Sequence, residues 1–185
     1  MRFIASATVL FFIFELKKII SMKLVLNQHQ IAQKINRLAH ELVENTYGQN
    51  ELFIGGISGN GEIFAKQIAE IVRATSKQEI TEFTIELDKD KPLEHPIVCS
   101  IDPKVFVGKM VVVVDDVINS GTTMQYAVLK VLEQAVRSVK TLALVDRMHR
   151  RYPIKCDFVG VTLSTTLGER VEVIPSNGSL EAFLV

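Results

Sequence analysis

An α/β fold, with a mostly parallel twisted sheet covered by helices on both faces, is what the order of hydrophobic patterns predicts. Two observations carry it. Apolar stretches of strand length alternate with stretches of helical spacing from residue 27 onward, and strand, crossover helix and strand in succession favour parallel pairing. Residues 110–114 (MVVVV) form an unbroken apolar run in which four of five residues are β-branched. That is the pattern of a central strand buried on both faces.

Each element follows from its own residues. Asn27 can cap a helix, with Gln30 three positions on as the reciprocal partner. Ile31, Ile35, Leu38 and Leu42 then recur at helical spacing, which predicts a helix to about Asn45. Residues 47–50 (YGQN) read as a turn, and residues 52–57 as a short strand broken by Ser58-Gly59-Asn60-Gly61. Phe64, Ile68, Ile71 and Val72 mark a second helix. Residues 81–87 alternate polar and apolar, predicting a strand, and residues 88–96, charged and carrying Pro92 and Pro96, predict a loop. After the valine run, Met124, Ala127, Val128, Val131, Leu132 and Ala135 give one side of a helix. Residues 141–145, 158–161 and 171–174 complete the strands. In such sheets ligands gather beyond the carboxyl ends of the strands.

Composition narrows the class. The 185 residues are 48% apolar and 23% charged, which sets aside disordered, collagen-like and coiled-coil proteins. Cys99 and Cys156 are isolated and too few for a disulfide scaffold or a structural zinc site, so a reducing, cytoplasmic setting is expected. With 21 basic against 21 acidic residues, no uniformly basic nucleic-acid surface is announced. The first 21 residues stand apart. Residues 3–14 hold ten apolar residues of twelve and no charge, a run shorter than the roughly 18–20 needed to cross a bilayer. No membrane partner is expected. A signal peptide is one reading and an upstream start codon another; the helix beginning just after Met22 favours the second. Residues 22–185 then form a single domain of 164 residues with 18 basic and 20 acidic side chains, and residues 1–21 a non-native or unstructured leader.

The chemistry concentrates in residues 111–123, VVVVDDVINSGTT. The valines deliver Asp115 and Asp116 to the carboxyl edge of the sheet. Adjacent carboxylates there suit sugar hydroxyls, or water around a metal ion. Asn119, Ser120, Gly121, Thr122 and Thr123 follow, small and hydroxyl-rich, just before a helix whose positive end and free N–H groups favour phosphate. Carboxylates for ribose beside a cradle for phosphate point to a ribose 5-phosphate ligand. The string is not a P-loop, because it lacks the Gly-Lys-Ser/Thr ending.

This segment resembles the phosphoribosyl pyrophosphate (PRPP) signature of type I phosphoribosyltransferases. Residues 37–42 (RLAHEL), residues 144–154 (LVDRMHRRYPI), Phe158-Val159-Gly160 and residues 168–173 (GERVEV) extend the resemblance to the bifunctional pyrimidine operon regulators/uracil phosphoribosyltransferases. It runs from about residue 26 to residue 174.

The resemblance implies a type I phosphoribosyltransferase fold with a small hood, and joining of a nucleobase, uracil foremost, to C1 of PRPP with release of pyrophosphate. Carried over by position, Asp115 and Asp116 hold the ribose hydroxyls as the catalytic acids and meet Mg²⁺ indirectly, through PRPP or water. Asn119 to Thr123 hold the 5-phosphate. Ser58, Gly59, Asn60 and Gly61 meet pyrophosphate, with Gly55 and Gly56 allowing close backbone approach. Residues 88–96 fall where the family has a closing loop, and residues 161–169, Val161, Thr162 and Leu163 first among them, belong to the hood over the base. A homodimer or higher homo-oligomer is implied as well. The chain departs from the family at three points. Ser58 and Asn60 stand where Lys and Arg are common, Thr122 where Lys or Arg is usual, and Asn119 where purine-specific members carry Asp. The first two remove cations from the phosphate sites; the third disfavours purines.

Between Arg137 and Lys155 lie six basic residues and one acid, Asp146. Arg147, Arg150 and Arg151 are therefore candidates for RNA contact, which the resemblance also implies, against the alternative of a solvated face paired with Glu169 and Glu172. The alternative function is a regulator of pyrimidine genes that senses PRPP or a nucleotide, with weak or no catalysis. His29, His40 and His95 are scattered and offer no metal site of their own.

Overall fold

The computed structural model describes residues 22–166, 168–176 and 179–185; the apolar leader lies outside them. The chain runs β1 (Lys23–Leu26), α1 (Gln28–Asn45), β2 (Glu51–Ile57), α2 (Asn60–Thr75), β3 (Glu79–Glu86), β4 (Val98–Cys99), a 3₁₀ turn (Pro103–Phe106), β5 (Met110–Ile118), α3 (Thr122–Leu132), β6 (Ser138–Asp146), β7 (Phe158–Thr162), β8 (Val171–Ser176) and β9 (Ser179–Leu184).

Six strands form the main sheet in the order β4-β3-β2-β5-β6-β7. All pairings are parallel except β3 with β4. The valine run lies at the centre, between β2 and β6, as its composition predicts. Its side chains alternate between the faces: Val112 and Val114 pack with α1 and α2, while Val111 and Val113 pack with Phe53, Phe83, Phe106 and α3. On that second face Phe106 meets Phe53 edge-on at 5.5 Å and Phe83 at 4.8 Å between ring centres.

The helices obey their predicted faces, with one exception. The Asn27–Gln30 capping box is complete: the Asn27 side chain accepts from Gln30 N at 2.9 Å, and the Gln30 side chain accepts from Asn27 N at 3.0 Å. Helix α3 stops at Leu132, which is exposed, and Ala135 lies beyond its end. The apolar spacing across residues 124–135 overran because Glu133 and the turn to Val136 follow; Val136 bridges back to Val107.

A second, three-stranded antiparallel sheet, β1-β9-β8, sits apart from the first. Leu26, Val171, Val173, Leu180 and Ala182 join it to the cluster of α1, α2 and the even-numbered valines. Only one of its strands was expected. Lys23–Leu26 is too short to carry a period, and its partner comes from the far end of the chain.

The glycines of β2 admit close packing from both faces of the sheet. A Cβ on Gly55 would lie 2.3 Å from the Phe83 ring, and one on Gly56 would lie 2.6 Å from the Glu62 Cα on α2. They let the sheet and its neighbours close up, the close backbone approach that these glycines predict. Gly56→Ala must push backbone, so we expect a loss of about 2–4 kcal/mol in a chemical denaturation curve.

Candidate active site

Asp115 and Asp116 lie in the last four residues of strand β5, toward the carboxyl edge of the sheet, both buried, at 3% and 9% exposure. The Asp115 Oδ1 accepts from the backbone N–H of Asp116 at 3.0 Å. Burial, and then the charge of Asp116, push the Asp115 carboxyl well above the ordinary carboxylate range, and Lys89 opposes this in part. The first turn of α2 presses on the same acid. A Cβ on Gly61 would lie 3.0 Å from Asp115 Oδ1 and 3.2 Å from the Val114 carbonyl oxygen, so only glycine fits there unstrained.

The two helices flanking β5 begin at this edge, and both begin uncapped. Gly59 leads α2 with φ 94° and Gly121 leads α3 with φ 80°; neither helix has a side-chain cap. The contrast with α1, whose capping box is filled, is a physical one. A helix start leaves N–H groups without intrahelical partners; neither N-cap glycine has a side chain to take them, and only the Thr122 N–H meets a nearby hydroxyl, which leaves the others for an anion. Gly121 is fixed twice, by its left-handed backbone and by the methyl of Ile154, which a Cβ would meet at 2.8 Å. The Ser120 and Thr122 hydroxyls are 2.7 Å apart, and the Thr122 N–H points at Ser120 Oγ at 3.3 Å.

The pyrophosphate-loop candidates flank the acids. Ser58 is tied to the end of β3, its N–H donating to the Ile85 carbonyl at 3.0 Å. The Asn60 amide donates to Asp116 Oδ2 at 3.1 Å and to the Val173 carbonyl at 2.7 Å. Asn60 thus ties Asp116 to the small sheet. The carboxamide oxygen of Asn119 accepts from Arg147 Nη1 at 2.7 Å, so this residue holds an arginine at the turn before α3.

That arginine is the main revision of the sequence reading. Arg147 is 7% exposed, which removes it from an accessible RNA face. Its Nε donates to Thr165 Oγ1 at 3.1 Å and its Nη2 to the carbonyls of Glu169 and Thr166, besides the bond to Asn119. Burial, with the charge of Arg170 beside it, pulls its pKa below the usual arginine value. Arg150 pairs with the buried Asp146, and His149 Nε2 meets the Thr165 carbonyl at 2.7 Å. Arg151 is exposed, and its backbone N–H donates to the Ser120 carbonyl at 2.8 Å. Together Asn119, Ser120, Arg147, Arg150, Arg151 and Arg170 line a cleft of about 770 Å³. Sequence proximity groups Arg147, Arg150 and Arg151 as a surface; the segment after β6 instead lies against the turn before α3, through Arg147 to Asn119 and the Arg151 N–H to Ser120. Glu169 turns its carboxylate to Thr166 instead of to an arginine.

The base-side candidates lie at the end of β7. Val161 is half-buried against the main core, Thr162 ends the strand, and the Leu163 N–H donates to the Asp146 carbonyl at 2.8 Å. Cys156 is buried in the core cluster that packs with α3, and burial pushes its thiol up to about 12. Alkylation of the folded protein at pH 8, read by mass spectrometry, is therefore expected to spare Cys156 until denaturant is added.

An acid pair near the end of a central parallel strand stands between two helix starts without side-chain caps, and the chain belongs to the phosphoribosyl transferase domain family, which it matches over residues 21–174. Within that family several of its relatives share one name. It is 31% identical over 158 residues to the bifunctional protein PyrR of Bacillus velezensis, covering 80% of this chain and 87% of that one. It is 34% identical over 159 residues to the bifunctional protein PyrR of Thermoanaerobacter sp., covering 81% and 88%. Solved structures share the fold. The hypoxanthine-guanine phosphoribosyltransferase of Bacillus anthracis superimposes with a TM-score of 0.66 at 20% identity, over 76% of this chain and 81% of that one. The hypoxanthine phosphoribosyltransferase of Trypanosoma cruzi does so with 0.68 at 15% identity, over 86% and 95%.

Proposed function

We propose that this protein transfers ribose 5-phosphate from PRPP to a pyrimidine base, uracil foremost, releasing pyrophosphate. The observation that carries the reading is the buried pair Asp115–Asp116 set between the two uncapped helix starts at Gly59 and Gly121. The α3 start and the Ser120 and Thr122 hydroxyls take the 5-phosphate, the acids accept from the ribose hydroxyls, and the α2 start takes the pyrophosphate. As the ring nitrogen bonds to C1 it gives its proton to water, and pyrophosphate departs with the bonding pair of the broken C1–O bond. Fixing the ribose between two anchored phosphates holds C1 in line for that displacement. Positive charge develops at the sugar, and the neighbouring carboxylates stabilise it.

Mg²⁺ fits as an ion carried on the donor. Asp115 and Asp116 offer two adjacent carboxylates, and among the described residues no three His, Cys, Asp or Glu side chains gather to hold a metal alone. Bound there, the ion neutralises charge on the leaving group. Asn119, engaged with Arg147, supplies no carboxylate for a purine proton, which favours the pyrimidine reading. The test is a panel of uracil, cytosine, hypoxanthine, guanine and adenine with PRPP and MgCl₂, read by pyrophosphate release. Turnover with uracil is expected; a folded protein that releases pyrophosphate with none of them contradicts the reading.

RNA binding is a second activity compatible with the first, favoured by the name bifunctional in the relatives and by the exposed position of Arg151. Salt-dependent retention of pyrimidine-operon leader RNA, weakened by Arg151→Ala, is the expected result. Homo-oligomerisation belongs to the same reading: Leu129 and Leu132 expose apolar surface on one side of α3.

A further inference from the structure

Pyrophosphate is the most highly charged part of the donor, yet the loop assigned to it, Ser58-Gly59-Asn60-Gly61, contains no basic side chain. The structure brings one in from another segment. The end of β3 is stitched to this loop by the bond from Ser58 N–H to the Ile85 carbonyl. Two residues past β3, the Asp88 carboxylate accepts from the N–H groups of Asp90 and Lys91, both at 2.9 Å, and closes a tight turn. That turn directs Lys89 inward. Its Nζ stands 4.0 Å from Asp115 Oδ1 and 3.9 Å from where a Cβ on Gly59 would lie. The side chain remains 45% exposed, so it can shift along the cleft. Lys91, by contrast, faces away and pairs with Glu94. Among the described residues, Lys89 is the basic side chain that forms an ion pair with Asp115.

We propose that Lys89 supplies the cation for the pyrophosphate group, standing over the glycine-led start of α2 in place of a basic residue in the loop itself. In the ligand-free protein it balances Asp115. When the donor enters, the pyrophosphate oxygens lie between the α2 start and the ammonium, and Lys89 exchanges a buried carboxylate for a more highly charged partner. The lysine thereby couples the two halves of the site: the ribose acid is freed for the sugar as the leaving group is neutralised. A lysine is suited to this, as a compact charge on a flexible stem.

The inference rests on PRPP being the donor, and calorimetry separates the two claims. Full-length wild-type protein and Lys89→Ala are each titrated with PRPP and with ribose 5-phosphate, both in MgCl₂. Ribose 5-phosphate has the sugar and the 5-phosphate and lacks pyrophosphate. Lys89→Ala is expected to weaken PRPP by about 10- to 100-fold, the size of one lost charge-assisted contact. Ribose 5-phosphate is expected to stay within about twofold, and Lys89→Arg to retain most PRPP affinity. Equal losses for the two ligands would make Lys89 a counter-ion of Asp115 alone and overturn the proposal, as would undiminished PRPP binding. Wild-type protein that binds neither ligand would sink the donor assignment itself, and this inference with it.

Discussion

Changing both Asp115 and Asp116 to Asn is expected to cut phosphoribosyl transfer by about 10²- to 10⁴-fold, as two charge-assisted contacts to ribose are lost, and at the same time to make the ligand-free protein more stable. The second half follows from burial. Asp115 is held above the ordinary carboxylate range by desolvation and by Asp116 beside it. A carboxyl whose folded value exceeds its unfolded one binds its proton more tightly when folded. Its contribution to stability is complete below an unfolded value of about 3.9 and is lost as pH rises through the folded one. Asn carries no such burden, and its oxygen can still accept from the Asp116 position's N–H and from Asn60. Thermal melts at pH 8 should therefore rise by roughly 2–4 °C, with the gain shrinking as pH falls toward 4. A double variant that melts lower than its parent at pH 8 would contradict the reading of these acids as a functional pair kept at a cost to the fold.

Arg147→Ala is expected to produce the second large effect, a loss of about 100-fold in kcat/KM together with a drop of several degrees in melting temperature. Its guanidinium spans from Asn119 on the phosphate loop to Thr165, Thr166 and Glu169 in the segment ahead of β8. Truncation removes the shared donor from four part-buried acceptors, at about 0.5–1.5 kcal/mol apiece before relaxation. Arg147→Lys should rescue little, because a single ammonium cannot reach three directions from one planar fork. If Arg147→Ala left transfer intact and removed only RNA retention, the assignment of this residue to the cleft would be wrong.

These effects mark where local pattern ended and tertiary placement began. The valine run, its two acids and the small-residue turn lie within thirteen consecutive positions, so periodicity and side-chain chemistry were enough to read them. The Asn27–Gln30 cap is equally local. The small sheet was not legible, because β1 is four residues long and pairs with β9 from the opposite end of the chain. Gly55 and Gly56 were recognised as a place of close approach, but what approaches is Phe83 and α2. Charge was the least readable feature. The arginines after β6 are contiguous in sequence and looked like one face, whereas the turn there buries Arg147, pairs Arg150 and leaves Arg151 outside. Lys89 carried no signal beyond sitting just after a strand; its value comes from the bond that holds the end of β3 against the loop before α2.

The central claim is that the acid pair and the two open helix starts form one binding site for PRPP. An isothermal titration of the full-length protein with PRPP in MgCl₂, repeated on the folded Asp115→Asn/Asp116→Asn variant, tests it most directly. One saturable site per chain in the parent, weakened by about 10²-fold or more in the variant, is the predicted result. Equal affinity in both proteins, or no binding by the folded parent, would contradict it.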